Sequence, residues 1–477
     1  MKNSFKNVQI GDNDLIGNKF NGHDLHLYLR SKGIDSIQLV WNKESNDKTT
    51  FILASQNGER EKIRDFSIKI QNEYSLNGIF NPIFYNVLYN KYFLESDVVH
   101  FHLIQNWLID ISLLPILSRL KPIVWTVHDP WVLGGHCVYH FDCKKWQNQC
   151  FDCPYLNTHF SLKKDNSSLN FTLKMDSIKR SNIDIIVASK WMKNKIKLSP
   201  IFKNKKIHLI PFGINQDIFK PLNKKQCKKE LGVNSDYFII TFRFDKSKFK
   251  GLDFILNTLE NIKTNKKICL FILGNYKKNE YKFNLKYKYF GWVKDDRLLA
   301  KIYSSTDLFL MPSTAEAFGM MAIEAMSCGT LPIVLEGTSL PEIVNSPDCG
   351  IATKRSKKDY SEIVNFYINN DLNRKEKSLK CLYYAKEKYN YKKYIKKIEL
   401  VYQESMKNHK LLTSDKFLLD QLKKNLSEEV SNNNENYIRQ QLPYFIKILL
   451  ILFYKIDKII PQKTRILIKN KLKKLQH

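Results

Sequence analysis

The 477-residue sequence lacks an apolar run long enough to cross a membrane. A spanning helix needs about 20 consecutive apolar residues, and polar or charged residues interrupt every apolar stretch before that length. The opening segment, MKNSFKNVQIGDND, also lacks the apolar core of a secretory signal peptide. We therefore expect a cytoplasmic chain, whose nine cysteines would not form disulfides in a reducing compartment.

RNP, zinc-finger and helix-turn-helix patterns are also missing, although the net charge is +30. Such a charge predicts an anionic partner: a nucleic acid, a membrane surface or a phosphorylated substrate. Lys, Asn and Ile are abundant along the whole chain, as in low-GC coding sequences, so part of the excess is compositional. Because no matching motif accompanies the basic residues, we expect no nucleic-acid binding.

Length and hydrophobic content (43%, with 13% aromatic residues) predict two large domains and a further segment. Short apolar runs alternate with segments of helical periodicity through both halves of the chain. This alternation is typical of α/β domains with doubly wound parallel sheets.

The most informative stretch, residues 311–344, reads MPSTAEAFGMMAIEAMSCGTLPIVLEGTSLPEIV. An apolar run at 308–311 precedes a turn, apolar residues follow at helical spacing over 319–327, and a second apolar run occupies 331–335. The pattern predicts a strand, a loop, a helix and a second strand in succession.

The start of this helix has the chemistry of a nucleotide-sugar site. The N–H groups of Phe318, Gly319 and Met320 would open the helix, where unpaired donors and the helix dipole favour a diphosphate. Glu324, in the second turn, can accept hydrogen bonds from both hydroxyls of a ribose. Glu316, in the loop, can hold sugar hydroxyls. Two Glu at this spacing are common by chance and a Glu after a turn can simply cap a helix, so the interpretation depends on the whole string.

The string resembles the retaining glycosyltransferases of family 4, which have the GT-B fold of two Rossmann-like domains facing a cleft. The resemblance implies that Glu324 holds the ribose and Glu316 contacts the donor sugar, and that catalysis needs no metal or other cofactor. The matching residues are Pro312, Ser313, Glu316, Phe318, Gly319, Glu324, Ala325, Cys328, Gly329, Pro332, Gly337, Pro341 and Glu342.

The same resemblance guides the predicted domain organisation. Residues 1–210 would form the N-terminal acceptor domain and residues 223–390 the nucleotide-sugar domain, joined by a linker at 211–222. Residues 391–407 would form a helix that crosses back to the first domain. Residues 408–477 lie beyond the resemblance and are predicted to be a helical basic extension.

A loop rich in Gly and Asn, residues 12–22, follows the first predicted strand at its carboxyl end, where open sheets bind ligands. In the resembling family this loop faces the donor phosphates and the acceptor, so Gly17 or Gly22 would be the position of close approach. The usual paired glycines are absent, and an ordinary turn is the alternative.

His128 ends another predicted strand, residues 122–127, where it can hydrogen-bond a sugar hydroxyl and share charge near a transition state. A lone His is usually structural, but His128 is followed by Asp-Pro-Trp and resembles the active-site His of the family. His102 lies in the same predicted layer and is a second candidate.

Cations follow the first predicted strand of the second domain, in the segment RFDKSKFKG. Two cations facing one pocket can neutralise a departing diphosphate, and the family's Arg and Lys correspond to Arg243 and Lys250. Lys246 and Lys248 are the alternative cations. A Lys-rich turn exposed to solvent, with no ligand, is the alternative to a phosphate site.

Val293, after a predicted short strand and turn, is placed to contact the base of the nucleotide.

Four cysteines, Cys137, Cys143, Cys150 and Cys153, lie within a predicted insertion at residues 136–154. The last pair forms a Cys-x-x-Cys knuckle, and four thiolates could enclose a structural zinc ion. Four unligated thiols packed in a loop are the alternative. Similar insertions occur in one bacterial polysaccharide-type branch of the resembling family.

The C-terminal segment, residues 442–477, carries nine Lys and Arg against one Asp around a wholly apolar run at 448–453. Such a segment can lie in the interface of an anionic inner leaflet, which would make the chain peripheral on the cytoplasmic membrane. The alternative is a pair of helices packed on the protein with basic faces in solvent.

Together these features predict a hexosyltransferase that uses a UDP- or GDP-linked sugar. Its acceptor would be a glycan or a lipid-linked glycan in capsule, O-antigen or exopolysaccharide assembly. Rival hypotheses on the same fold are a nucleotide-sugar epimerase or a phosphorylase, although neither motif is present. A rival of another class is an inactive basic scaffold that binds a membrane or a nucleic acid.

Overall fold

The computed structural model describes residues 5–15, 17, 22–53, 59–105, 109–158, 160–277 and 280–432. The chain divides into two compact units, Met1–Leu412 and Thr413–His477. In the second unit the structure describes one helix, and the predicted membrane segment 442–477 lies outside the described residues. No helix among the described residues has both the length and the apolar character to span a bilayer.

The first sheet has seven strands, all paired in parallel, in the order β3-β2-β1-β4-β5-β6-β7. Its central strands β4 and β5 are buried along their whole length, in agreement with their mostly apolar sequences. The strands are β1 (Lys6–Asn13), β2 (Asp35–Asn42), β3 (Thr50–Ile52), β4 (Val98–Phe101), β5 (Ile123–Thr126), β6 (Ile183–Val187) and β7 (Ile207–Leu209).

The second sheet has six parallel strands in the order β10-β9-β8-β11-β12-β13. Strand order reverses at β1 and β4 in the first sheet and at β8 and β11 in the second. Ligands of open parallel sheets bind outside the carboxyl ends of the strands at such reversals. The strands are β8 (Phe238–Phe244), β9 (Ile268–Gly274), β10 (Lys286–Gly291), β11 (Leu308–Met311), β12 (Leu331–Leu335) and β13 (Ile351–Thr353).

Helices connect the parallel strands, as crossovers require. Short 3-10 helices occupy Pro82–Tyr89, Ile111–Leu113, Pro130–Leu133, Lys145–Gln147 and Pro200–Phe202. The α-helices are α1 (His23–Ser31), α2 (Glu59–Tyr74), α3 (Lys91–Glu95), α4 (Leu114–Leu120), α5 (Ser167–Arg180), α6 (Lys190–Leu198), α7 (Lys224–Glu230), α8 (Leu252–Glu260), α9 (Asp296–Ser305), α10 (Met320–Ser327), α11 (Leu340–Ile343), α12 (Lys357–Asn369), α13 (Asp371–Lys388), α14 (Tyr391–Asn408) and α15 (Thr413–Asn432).

Sequence patterns missed the two short edge strands β3 and β13. Three residues are too few to show a period, and β13 is defined by its pairing with β12. The strand expected at 289–293 is β10, which ends at Gly291.

Helix α14 follows the second sheet in the chain and packs on the first. Its Tyr402 hydroxyl accepts a hydrogen bond from Gln9 Nε2 at 3.0 Å and lies 2.6 Å from His100 Nδ1. Both partners belong to strands of the first sheet. The domain boundary at 211–222, which falls between β7 and α7, stays a prediction.

Candidate functional site

The loops after β8 and β11 meet at the strand-order reversal of the second sheet. Lys250, just before α8, places its Nζ 2.9 Å from Glu316 Oε2 in the loop after β11. Both side chains are largely buried, with 22% and 15% of their surfaces exposed. They line a cavity of about 120 Å³ together with Arg243, Gly319 and Met320. The structure therefore brings five of the predicted site residues together.

The choice among three lysines follows from their directions. Lys250 faces the cavity, whereas Lys246 is 66% exposed and pairs with Glu280, and Lys248 is exposed. Arg243, the second cation, lies 2.7 Å from Asp245 through its Nη2. Lys250 and Arg243 therefore both present positive charge to the cavity.

Carboxylates accompany these cations. Burial opposes ionisation of Asp245, but hydrogen bonds from Ser247 and the charges of Arg243 and Lys250 hold the pKa of its carboxyl below the usual value. The Arg243 guanidinium also lies 4.9 Å from the centre of the Trp292 ring. Arg243 is thus held by an ionised carboxylate and an aromatic ring before any ligand binds.

Helix α10 begins beside this ion pair, and no side chain caps its first turn. Gly319 precedes it with a φ of 103°, and a Cβ at that position would lie 2.5 Å from Leu340 Cδ2. Glycine is therefore required by conformation and by space. The Phe318 side chain points inward, with its ring 4.9 Å from that of Phe212, so only its main chain can serve a ligand.

Glu324 lies in the second turn of α10 and is only 4% exposed. It does not line the cavity, which ends at Met320 and Met321 on this helix. Burial of the neighbouring Tyr303, followed by the charge of Glu324, raises the pKa of the Tyr303 hydroxyl well above the usual value. The structure thus places the predicted ribose ligand behind the cavity wall.

Val293 also lies away from the cavity. It is partly buried and packs against a second apolar cluster that includes Ile239 and Phe271. The sequence pattern predicted a short strand and a turn over residues 289–293, with Val293 near the pocket wall. The contact with a base stays a prediction.

His128 follows β5 at the carboxyl edge of the first sheet. Its ring stacks on Phe212 with 5.4 Å between ring centres, and the His102 ring lies 5.8 Å away. Burial lowers the pKa of His128 to about 3. The imidazole is therefore neutral near pH 7, so it can hydrogen-bond a hydroxyl but does not carry the charge that the sequence interpretation allowed.

The two candidate glycines differ in their surroundings. Gly22 precedes α1 with a φ of 80°, and a Cβ there would lie 2.4 Å from His102 Nε2. Gly17 has a φ of 64° in a turn. Gly22 therefore allows His102 to pack close to the main chain, a contact that the sequence alone did not suggest.

The predicted cysteine cluster lines one small pocket. Gly135 N donates to Cys150 Sγ at 3.3 Å, and His136 Nε2 lies 3.3 Å from Cys153 Sγ. Burial raises the pKa of Cys137 to about 12 and that of Cys150 to about 11. Over the described ranges, no group of three or more His, Cys, Asp or Glu is arranged to hold a metal ion. The sulfur and imidazole groups of the pocket belong to Cys137, Cys143, Cys150, Cys153, His136 and His140.

Sequence reasoning missed contacts that join the halves of the first unit. Both carboxylate oxygens of Glu342 accept main-chain hydrogen bonds at the start of α6, from Lys190 at 2.8 Å and Trp191 at 3.0 Å. Ser189 Oγ donates to the carbonyl of Ala317 at 2.8 Å. Glu342 stood in the matching string, but its partners are distant in sequence.

Asp129 is a second residue whose contacts the sequence did not indicate. Its carboxylate accepts hydrogen bonds from Trp131 N at 3.0 Å and Gln105 Nε2 at 2.6 Å, and burial raises its pKa to about 6. Lys174, completely buried nearby, donates to the Gly134 carbonyl at 3.1 Å, and burial lowers its pKa to about 7. These groups anchor the start of the Cys-rich insertion.

Comparisons with known proteins agree with this architecture. Residues 223–388 match the family model described as Glycosyl transferases group 1. A protein of Klebsiella pneumoniae named "Uncharacterized 41.2 kDa protein in cps region" is 26% identical over 285 residues, covering 59% of this chain and 70% of that protein. Glycogen synthase of Streptococcus uberis is 34% identical over 147 residues, covering 28% of this chain and 30% of that enzyme.

Solved structures show the same fold across most of the chain. Sucrose-phosphate synthase from Thermosynechococcus elongatus has a TM-score of 0.60 at 16% identity, covering 84% of this chain and 98% of that one. Anabaena Alr3699/HepE in complex with UDP and glucose has a TM-score of 0.58 at 14% identity, covering 84% and 100%.

The solved structures share the GT-B fold with this chain, and the family match over residues 223–388 and the sequence relatives support a glycosyltransferase enzyme. The predictions of this fold and of this enzyme class are confirmed. Membership of family 4 and of its Cys-rich branch stays a prediction, because the matching family is broader.

The buried His128 predicts a pH-dependent stability. Its pKa of about 3 in the folded chain lies below the value near 6.5 of an exposed His. As pH falls from 6.5 towards 4, the unfolded chain binds a proton that the folded chain does not, and the free energy of unfolding falls by at most about 1.4 kcal/mol per pH unit. His128→Asn should flatten this slope in denaturant titrations. If the free energy of unfolding falls equally steeply with pH in the parent and in His128→Asn, His128 is not the source of the pH dependence.

Proposed function

We propose that the chain is a retaining hexosyltransferase that uses a UDP- or GDP-linked sugar. Its acceptor is a glycan or lipid-linked glycan of a cell-surface polysaccharide. The observation that carries the proposal is the Lys250–Glu316 pair beside the uncapped start of α10. The UDP and UDP-glucose complexes of Anabaena Alr3699/HepE support the donor class, and the cps-region relative supports the pathway.

The diphosphate of the donor would lie between the start of α10 and the two cations. Lys250 now contacts Glu316, and a diphosphate carries more charge than one carboxylate, so it competes for the lysine. Glu316 is then released to accept hydrogen bonds from the donor sugar. Gly319 permits the main chain to approach the phosphates. For Glu324 to bind the ribose, the nucleoside must reach past Met320 and Met321, which separate Glu324 from the cavity.

The proposed chemistry occurs on one face of the sugar. The bond between the anomeric carbon and the diphosphate oxygen breaks, and its electron pair leaves with the diphosphate. The acceptor oxygen bonds to the same face, and its proton passes to the leaving phosphate oxygen. Arg243 and Lys250 stabilise the leaving charge, while the neutral His128 orients a sugar hydroxyl.

Rival functions on this fold give different results in one assay. Release of nucleotide from a nucleotide-sugar is measured for the parent and for Glu316→Ala. A transferase should lose most of its turnover in the variant, whereas equal and negligible release would favour a scaffold without activity. Epimerisation of the donor would be visible as a second nucleotide-sugar.

Nucleotide binding tests the role of Glu324. Glu324→Gln removes the charge that accepts two ribose hydrogen bonds and should weaken UDP binding by about 10- to 100-fold, measured by calorimetry or thermal shift. Glu336→Gln is the matched control, because Glu336 follows β12 in the same domain with an exposed side chain. A panel of UDP- and GDP-sugars identifies the base. Equal binding by both variants would remove Glu324 from the site.

Zinc in the Cys-rich insertion remains part of the proposal. The four cysteines surround one pocket, but burial keeps at least two of them protonated when no metal is present. Zinc would need to displace those protons. Purified protein should then contain about one zinc per chain, measured by mass spectrometry, and lose thermal stability with a chelator. Absence of zinc would leave packed thiols as the explanation.

Membrane contact is the proposed role of residues 442–477, in line with a peripheral location on the inner face of the cytoplasmic membrane. The full chain should sediment with anionic vesicles, and deletion of this segment should abolish sedimentation, because basic side chains near an anionic surface each contribute about 1 kcal/mol. Zwitterionic vesicles serve as the control. Unchanged sedimentation after the deletion would exclude the segment as the anchor.

A further inference from the structure

The Cys-rich insertion places an aromatic side chain against the second half of the first unit. Tyr139, in the segment between β5 and α5, has its ring centre 5.9 Å from that of Phe249, and the ring planes are inclined by 42°. Phe249 lies in the loop that follows β8. Both rings are partly exposed, so they present an aromatic surface that the fold itself does not cover.

This aromatic pair adjoins the ionic groups of the proposed active site. Lys250 Nζ lies 5.5 Å from the centre of the Phe249 ring and 2.9 Å from Glu316 Oε2. The Phe249 carbonyl accepts a hydrogen bond from Thr314 N at 2.8 Å, which fixes the loop of Phe249 to that of Glu316.

The surroundings of Tyr139 define the state of its hydroxyl. Burial, followed by the charges of Glu316 and Asp129, raises the pKa of Tyr139 well above the usual value. The hydroxyl therefore stays protonated, and it hydrogen-bonds the main chain of Ala317. Tyr139 combines an apolar ring with a polar donor beside a carboxylate.

A sugar ring matches this surface, because its axial C–H groups form an apolar face while its hydroxyls bind ions and donors at the rim. Aromatic rings with a polar tip suit ligands of this mixed character. We propose that Tyr139 and Phe249 form a subsite that stacks on the sugar ring of the acceptor. The inference deepens the proposed transferase function and rests on it.

The position of the pair favours the acceptor over the donor. Neither Tyr139 nor Phe249 lines the cavity at the start of α10, where the donor diphosphate is proposed to bind. Tyr139 instead extends from the half that contains His128. The Cys-rich insertion would therefore contribute to acceptor recognition. Lys174 fixes the main chain just before the insertion by donating to the carbonyls of Gly134 and Gly135.

The experiment uses the full chain with UDP and a panel of methyl hexopyranosides, which contain no aromatic group of their own. Saturation-transfer NMR detects which sugar C–H protons approach the protein. Tyr139→Phe keeps the ring and Tyr139→Ala removes it. Phe151→Ala is the control, because Phe151 is an aromatic residue of the same insertion that is 56% exposed.

The parent should transfer saturation to the ring protons of at least one hexoside. Tyr139→Phe and Phe151→Ala should retain that signal, while Tyr139→Ala should weaken sugar binding by about tenfold, as expected for loss of an aromatic contact. Kinetically, the KM for the acceptor should rise in Tyr139→Ala more than the KM for the donor.

Three results would overturn the subsite. UDP binding by the parent without binding of any hexoside would remove it and leave the proposed transferase function standing. Equal hexoside signals in Tyr139→Ala and the parent would also remove the subsite and leave the proposed transferase function standing. Loss of both UDP and hexoside binding in Tyr139→Ala would show that Tyr139 and Phe249 only stabilise the loops of Phe249 and Glu316. Failure of the parent to bind any nucleotide or nucleotide-sugar would instead reject the proposed function itself.

Discussion

Parallel pairing of β8 with β11 is the constraint on which the candidate site depends. Leu308 to Leu310 pair in register with Ile240 to Phe242, so both strands end at the same edge of the sheet. The loops that follow are therefore neighbours, although Lys250 and Glu316 are 66 positions apart in sequence. Ligand sites of open parallel sheets lie at such reversals of strand order, and here a cavity lies between the two loops.

Electrostatics at this edge are balanced in the absence of a ligand. Lys250 is paired with Glu316, Arg243 is paired with Asp245, and the helix dipole of α10 adds positive potential. An isolated cation would be costly in a partly buried cavity, and the carboxylates offset that cost. A diphosphate that enters can replace Glu316 as the partner of Lys250, so the lysine stays paired. In the proposed mechanism, the same carboxylate that stabilises the ligand-free site then becomes available to the donor sugar.

Contacts within the first unit join the half that contains the first sheet to the half that contains the second sheet. Glu342 caps the start of α6, and Ser189 bonds to the main chain beside Glu316. From the opposite direction, Tyr402 on α14 hydrogen-bonds two strands of the first sheet. These interactions hold the histidine edge of the first sheet and the cation edge of the second within one compact unit. They explain how residues from four separate segments can serve one reaction.

The sequence by itself determined most strands, the helix α10 with its glycine, and the acidic and basic residues around it, because these depend on local periodicity and local chemistry. The two three-residue edge strands β3 and β13 were not predicted, because pairing with β2 and β12 defines them rather than their own sequence. Only the tertiary structure turned Lys250 towards the cavity and Lys246 away from it, placed Glu324 behind the cavity wall, and made His128 neutral. It also brought Tyr139 to Phe249. Each of these depends on contacts between distant segments and on burial, which no local pattern encodes.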